Sequence, residues 1–229
     1  MEATTPQIIF YLFGIPITNT VVSTWVMMLV VIIIAALIRL FKMDIAERII
    51  EMINGIIGSV MPENANVMHY LPVLGTLLIF LLFGNIFSIF PLMVSPTADI
   101  NTTFALALIV FFAVHIYGIK EKGLWGYFKG LASPVYLLPL EFVSQLSRTL
   151  ALTIRLFGNI ISSDLIVAIV FSLIPFIVPL PFIALGLLTG VLQAYIFTVL
   201  ASLYIASAIE VESTEDERRR LKQELRQTT

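Results

Sequence analysis

The 229-residue chain has no cysteine, which excludes disulfides and thiolate metal sites. It is also poor in charge. Asp, Glu, Lys and Arg together make 12% of the residues, where soluble globular domains carry about 25%. No polar stretch is long enough to build a soluble domain. No Lys or Arg precedes Arg39, so the basic n-region of a signal peptide is missing. The first apolar stretch therefore reads as a retained transmembrane helix. No basic patch with interleaved aromatics points to nucleic acid. His69 and His115 stand isolated and read as structural or interfacial, not as metal ligands. What remains is 59% hydrophobic, with a mean hydropathy of +1.01. That composition belongs to an integral membrane protein, and the expected fold is all-α.

The charge map divides this single membrane domain. Residues 1–18 form an N-terminal segment and 19–40 a first span, with no charge between Glu2 and Arg39. In 41–60, Ile45, Ile49, Met52, Ile53, Ile56 and Val60 recur at helical spacing, while Asp44, Glu47, Arg48 and Glu51 fall elsewhere on the wheel. This is the pattern of an amphipathic helix lying on a membrane surface. Residues 69–91 and 100–119 read as the second and third spans, and Lys120, Glu121, Lys122 and Lys129 as a charged loop broken by glycines. Residues 134–174 and 182–209 are apolar and separated by Pro175, Pro179 and Pro181. A helix of about forty residues is roughly 60 Å long at 1.5 Å per residue, and the bilayer core is about 30 Å thick. The last two segments are thus expected as a long tilted hairpin, followed by a charged tail over 210–229. Five membrane-embedded helices and one surface helix result. All the basic loops then lie on one side, so the positive-inside rule puts the N-terminus outside and the tail in the cytoplasm.

Inside the fifth segment stand Glu141, Arg148, Arg155 and Asp164. A charge at a helix centre costs about 2.5–3.5 kcal/mol on insertion scales and usually serves an ion pathway or a partner. Glu141, Arg148 and Arg155 are spaced by seven, and Asn159 follows four later, so the four share one helix face. Asp164, nine after Arg155, falls about half a turn round the wheel. A straight helix does not pair those two, which suggests two separate jobs. Bland readings stand beside the functional ones. Arg148 either snorkels to the headgroups or serves a pathway. Glu141 either pairs with Arg148 across two turns or serves a pathway. Asp164 is alternatively a satisfied structural carboxylate. Arg155 is the hardest to dismiss, because it lies deep in the apolar run and an arginine keeps its proton.

The string Arg155-Leu156-Phe157-Gly158-Asn159 closely resembles the signature of subunit a of F-type ATP synthases. Glu141 upstream, Asp164 downstream, Leu192-Gln193-Ala194-Tyr195-Ile196-Phe197 on the last helix and Pro96-Thr97-Ala98-Asp99-Ile100-Asn101-Thr102-Thr103 extend the match in register over nearly the whole chain. The resemblance implies a membrane stator subunit that binds no nucleotide, takes no cofactor or metal, and moves ions, protons first, between two offset half-channels. Its partners would be a ring of c subunits, the b subunits of the peripheral stalk and the lipid bilayer, in a hetero-oligomeric complex of a bacterial plasma (inner) membrane. Arg155 would separate the half-channels. Asn159 and Gln193 would be polar partners near it, Asp164 would line the outer path, and Glu141 and Arg148 would fall toward the cytoplasmic one. Tyr204 matches a polar position of the last helix, though an interfacial belt tyrosine reads equally well. Where some members carry a histidine, seven before the glutamine, this chain has Gly186, and room for water beside Asp164 is expected instead. A sodium-translocating form of the same subunit is the first alternative. An independent secondary transporter is the second, although no internal repeat supports it. A membrane scaffold would leave the buried charges without a purpose.

Overall fold

The computed structural model describes residues 8–12, 15–41, 44–62, 65–90, 93–131, 138–174 and 177–227. The chain begins with an antiparallel hairpin of β1 (Ile8–Leu12) and β2 (Ile15–Thr18), in which Leu12 pairs with Ile15 and Tyr11 with Pro16. The N-terminal segment was not expected to hold a strand. Its run of Ile, Phe and Tyr carries the β preference of such side chains, but is too short to stand out beside the span that follows. Six helices then follow: α1 (Asn19–Leu40), α2 (Ile45–Gly58), α3 (Val67–Phe87), α4 (Ile100–Leu131), α5 (Leu138–Leu173) and α6 (Pro179–Gln227). All but α2 are long and apolar enough to cross a bilayer. The chain is an all-α multi-pass membrane protein.

Each element follows from local chemistry. Helix α2 keeps Glu47 and Glu51 exposed and buries Ile53 and Ile57 against α3, where Gly75 lets Ile53 settle close to the backbone. Between α3 and α4, a single 3-10 turn (Pro96–Ala98) packs Pro96 onto Gly84, and the hydroxyls of buried Ser95 and Thr97 lie 2.9 Å apart. Asp99 Oδ1 accepts from the Asn101 backbone N–H at 2.9 Å, which ties the start of α4. The stretch expected as a charged loop is instead helical to Leu131, apart from a turn at Gly123, whose φ of 71° suits glycine. The returning segment lays the Tyr127 ring on Gly118; a Cβ there would fall 2.5 Å from that ring. The polar tail likewise continues α6 to Gln227, in keeping with its many strong helix formers.

The core sits where α3, α4 and α6 meet. Leu74, Leu77, Leu78 and Leu81 of α3 bury against Val110 and Val114 of α4 and against Ala194, Phe197, Ala201 and Ile205 of α6. Small residues on the inner face of α6 permit this close approach. Its buried Thr198 and Ser202 donate their hydroxyls to the Ala194 and Thr198 carbonyls at 2.9 and 2.8 Å, so neither leaves a polar group orphaned in lipid. Helix α5 joins this core through Leu152 and Leu156, which lie on a buried stripe with Thr149, Thr153 and Ile160. With 36 residues it would be roughly 54 Å long, far beyond the hydrocarbon thickness. A helix of that length either inclines to the bilayer or projects beyond its hydrocarbon. Helices α5 and α6 turn where Pro179 and Pro181 open α6, a position that tolerates proline; Pro175 lies outside the described residues.

Candidate functional site

The α5 stripe decides where its polar residues go. At about 100° per residue the buried positions cluster on one side of the wheel. Arg155, Arg148, Asn159 and Glu141 fall along one edge of that side and Asp164 along the other. Arg155 is exposed, between Ile154, which is 66% exposed, and Leu156, which is 1% exposed. Its guanidinium has no hydrogen-bond, ion-pair or ring partner among the described residues. Exposed apolar side chains recur along both helices of the hairpin: Leu150 and Ile154 on α5 and Leu188, Leu192, Tyr195 and Ile196 on α6. A permanent cation thus stands in a surface built for hydrocarbon or for another protein.

Asn159, Arg148 and Glu141 each have a partner. Half-buried Asn159 donates Nδ2 to the Thr189 carbonyl on α6 at 3.4 Å. Two turns on the far side of Arg155, the Arg148 guanidinium lies 5.2 Å above the Tyr204 ring of α6. The two contacts bracket Arg155 along the antiparallel hairpin. Glu141 Oε1 accepts from Gln145 Nε2 at 3.1 Å. No ion pair joins Glu141 to Arg148 among the described residues.

Gln193 is 6% exposed on α6, and its Nε2 has no partner among the described residues. No hydrogen bond joins it, or Asn159, to Arg155. Asp164 is half-buried on the opposite edge of the stripe, so the two ionisable groups of the central α5 face different surroundings. A Cβ on Gly186 would lie in ordinary contact with Ser163 of α5, 3.4 Å from its Cβ.

His69 and His115 are engaged structurally. His69 packs edge-on against Tyr70 and Tyr117, each 5.6 Å away, and His115 Nδ1 lies 2.8 Å from the Phe111 carbonyl. Among the described residues no three His, Asp or Glu group to hold a metal.

Sequence reasoning passed over Asn85. This α3 residue is 3% exposed and donates Nδ2 to the Gly190 carbonyl of α6 at 2.7 Å, while its Oδ1 has no partner among the described residues. A Cβ on Gly190 would sit 3.0 Å from the Asn85 Cβ and Cγ. The signal was a lone amide within a long uncharged run, weak beside the ionised residues of α5.

Comparison with known proteins adds a family. The profile described as "ATP synthase A chain" matches residues 9–206. The chain is similar to ATP synthase subunit a 2 of Bradyrhizobium sp., 39% identical over 211 residues that cover 90% of this chain and 95% of the relative. It is 40% identical over 223 residues to ATP synthase subunit a 1 of Crocosphaera subtropica, covering 93% and 96% of the two chains. ATP synthase subunit a of Albidiferax ferrireducens is 40% identical over 217 residues, covering 91% and 94%.

Proposed function

This chain belongs to the ATP synthase A chain family, and on that premise we propose that it carries protons past a ring of c subunits, with Arg155 as the fixed cation facing the ring's carboxylates. As a subunit of an ATP synthase it works within a hetero-oligomeric membrane complex. The observation that carries the reading is the exposed, unpartnered guanidinium in the apolar face of α5 and α6. A charge in that position is costly against lipid and favourable against an acid brought to it by a neighbour. Beside Arg155 an approaching carboxylate has its anion stabilised and releases its ion. Rotation then carries the anion away to reload from the other side. The same cation repels ions that would leak directly between the two half-channels. Each charge moved through the potential supplies about 2.3 kcal/mol per 100 mV.

The other polar residues take roles from their places on the hairpin. Asp164, on the opposite edge of the buried stripe, serves the outer half-channel. Glu141 and Arg148 serve the cytoplasmic one. Asn159 and Gln193 keep the helix contact polar near the arginine, and Tyr204 closes the cytoplasmic end of the hairpin. The b subunits of the peripheral stalk hold the chain still against the ring, and nucleotide chemistry belongs to other subunits. Basic residues after α1, around the Gly123 turn and in the tail support an outside N-terminus and a cytoplasmic C-terminus, as in a bacterial inner membrane.

The test is Arg155→Ala in the assembled complex. Proton-driven ATP synthesis in vesicles should fall to background, while detached catalytic heads still hydrolyse ATP. Normal coupled synthesis in that variant would defeat the reading. Sodium-free medium separates the ions: proton-driven synthesis should continue there, and a strict sodium requirement would favour the sodium form.

A further inference from the structure

Two arginines share the α5 stripe, seven residues or roughly 10.5 Å apart along the axis, yet their surroundings differ. Arg155 is exposed and without a partner among the described residues. Arg148 is half-buried and stacked 5.2 Å above the Tyr204 ring on α6. The face of an aromatic ring attracts a cation, most strongly where water is excluded. A ring of Tyr204 is therefore a tether that leaves the arginine its charge but limits its reach. The same contact leaves the Glu141 carboxylate, two turns below Arg148, with a neutral amide as its partner: Gln145 Nε2 at 3.1 Å.

We propose that Tyr204 is a positioning residue whose ring holds the Arg148 guanidinium against α6, so that Arg148 neither neutralises Glu141 nor competes with Arg155 for a rotor carboxylate. The stripe then works with one unpartnered guanidinium, Arg155, and one carboxylate, Glu141, that accepts from a neutral amide. A released Arg148 has the length to bridge toward Glu141. It would close the cytoplasmic path with a salt bridge, or offer the passing carboxylate a second, misplaced counter-charge. Either event slows ion release without loosening the hairpin. The inference deepens the proposed function and rests on it.

The experiment varies the ring's electrostatics at nearly constant shape. Tyr204→Phe is made in the assembled complex, and position 204 is then replaced by mono-, di- and trifluorinated phenylalanine, which progressively weaken the attraction for a cation. Relative to Tyr204→Phe, proton-driven ATP synthesis in vesicles is expected to decline stepwise, about fivefold or more, along the fluorinated series. In an Arg148→Gln background, with each rate read against that background's own Tyr204→Phe rate, the decline should disappear, since no cation remains to be released. A rate indifferent to fluorination, or an equal decline without Arg148, overturns the inference. Loss at Tyr204→Phe equal to the trifluorinated variant's also overturns it, because the hydroxyl and not the ring face would then be what matters. Arg155→Ala in the same vesicles separates this from the underlying reading. If that variant still couples, the proposed function fails. If it stops coupling while fluorination has no effect, only the role of Tyr204 fails.

Discussion

At the scale of single residues, the proposed function divides the work between Asp164 and Arg155, which lie on opposite edges of the buried α5 stripe. An arginine stays protonated in any environment a protein offers, whereas a carboxylate takes and gives up a proton. Of the two, only Asp164 can exchange a proton in the proposed path. Asp164→Asn keeps the volume and the polarity but removes the exchangeable charge. It is expected to slow proton-driven synthesis by about tenfold or more, in keeping with general acid-base contributions of 10²–10⁴, while the complex still assembles. Unchanged rates with normal assembly would reduce Asp164 to a structural group. The ionised residues were visible in the sequence because charge in an apolar run stands out at once. Asn85 and the tether of Arg148 were not visible. An uncharged amide gives a weak signal, and the ring that holds Arg148 lies more than fifty residues further along the chain.

At the scale of elements, the hairpin stands because α3 and α6 come within reach of each other's backbones. Gly190 and Asn85 mark that approach: they are 105 residues apart in sequence and joined by a 2.7 Å hydrogen bond. Gly190→Ala gains helix propensity of up to about 1 kcal/mol. It also drives a methyl group to 3.0 Å from Asn85, and overpacking of that kind costs about 1–3 kcal/mol. The strain should win, lowering the thermal midpoint of the detergent-solubilised complex. Gly55→Ala in α2 is the matched control, since a Cβ there meets nothing within 4 Å. Its midpoint should hold or rise, and equal losses at both sites would refute the packing argument. The five long helices were legible from hydropathy and the surface helix from its periodicity. The hairpin of β1 and β2 was not, since its apolar residues merge with those of the neighbouring span. Nor was the helical course of the charged segments after Ile119 and Ile209, where polarity was read as loop although the residues themselves favour helix.

At the scale of the whole molecule, the proposed orientation rests on charge outside the apolar helices and the proposed function on charge within them. The absence of cysteine makes the first testable directly. Thr4→Cys and Ser213→Cys each introduce a single thiol. In intact cells an impermeant maleimide should label the former, and should reach the latter only after permeabilisation. The reverse pattern would invert the topology and exchange the two proposed half-channels. Sequence alone determined that the chain lives in a bilayer, how many times it can cross, and that a permanent cation stands deep in its fifth span. These are one-dimensional facts, because hydropathy, length and helical spacing are local to a segment. Tertiary structure decided which edge of α5 stays uncovered, that Arg155 is left open while Arg148 is stacked on Tyr204, and that Gly186 faces Ser163 across the hairpin. Those outcomes depend on which helix lies against which, a relation that no segment carries within itself.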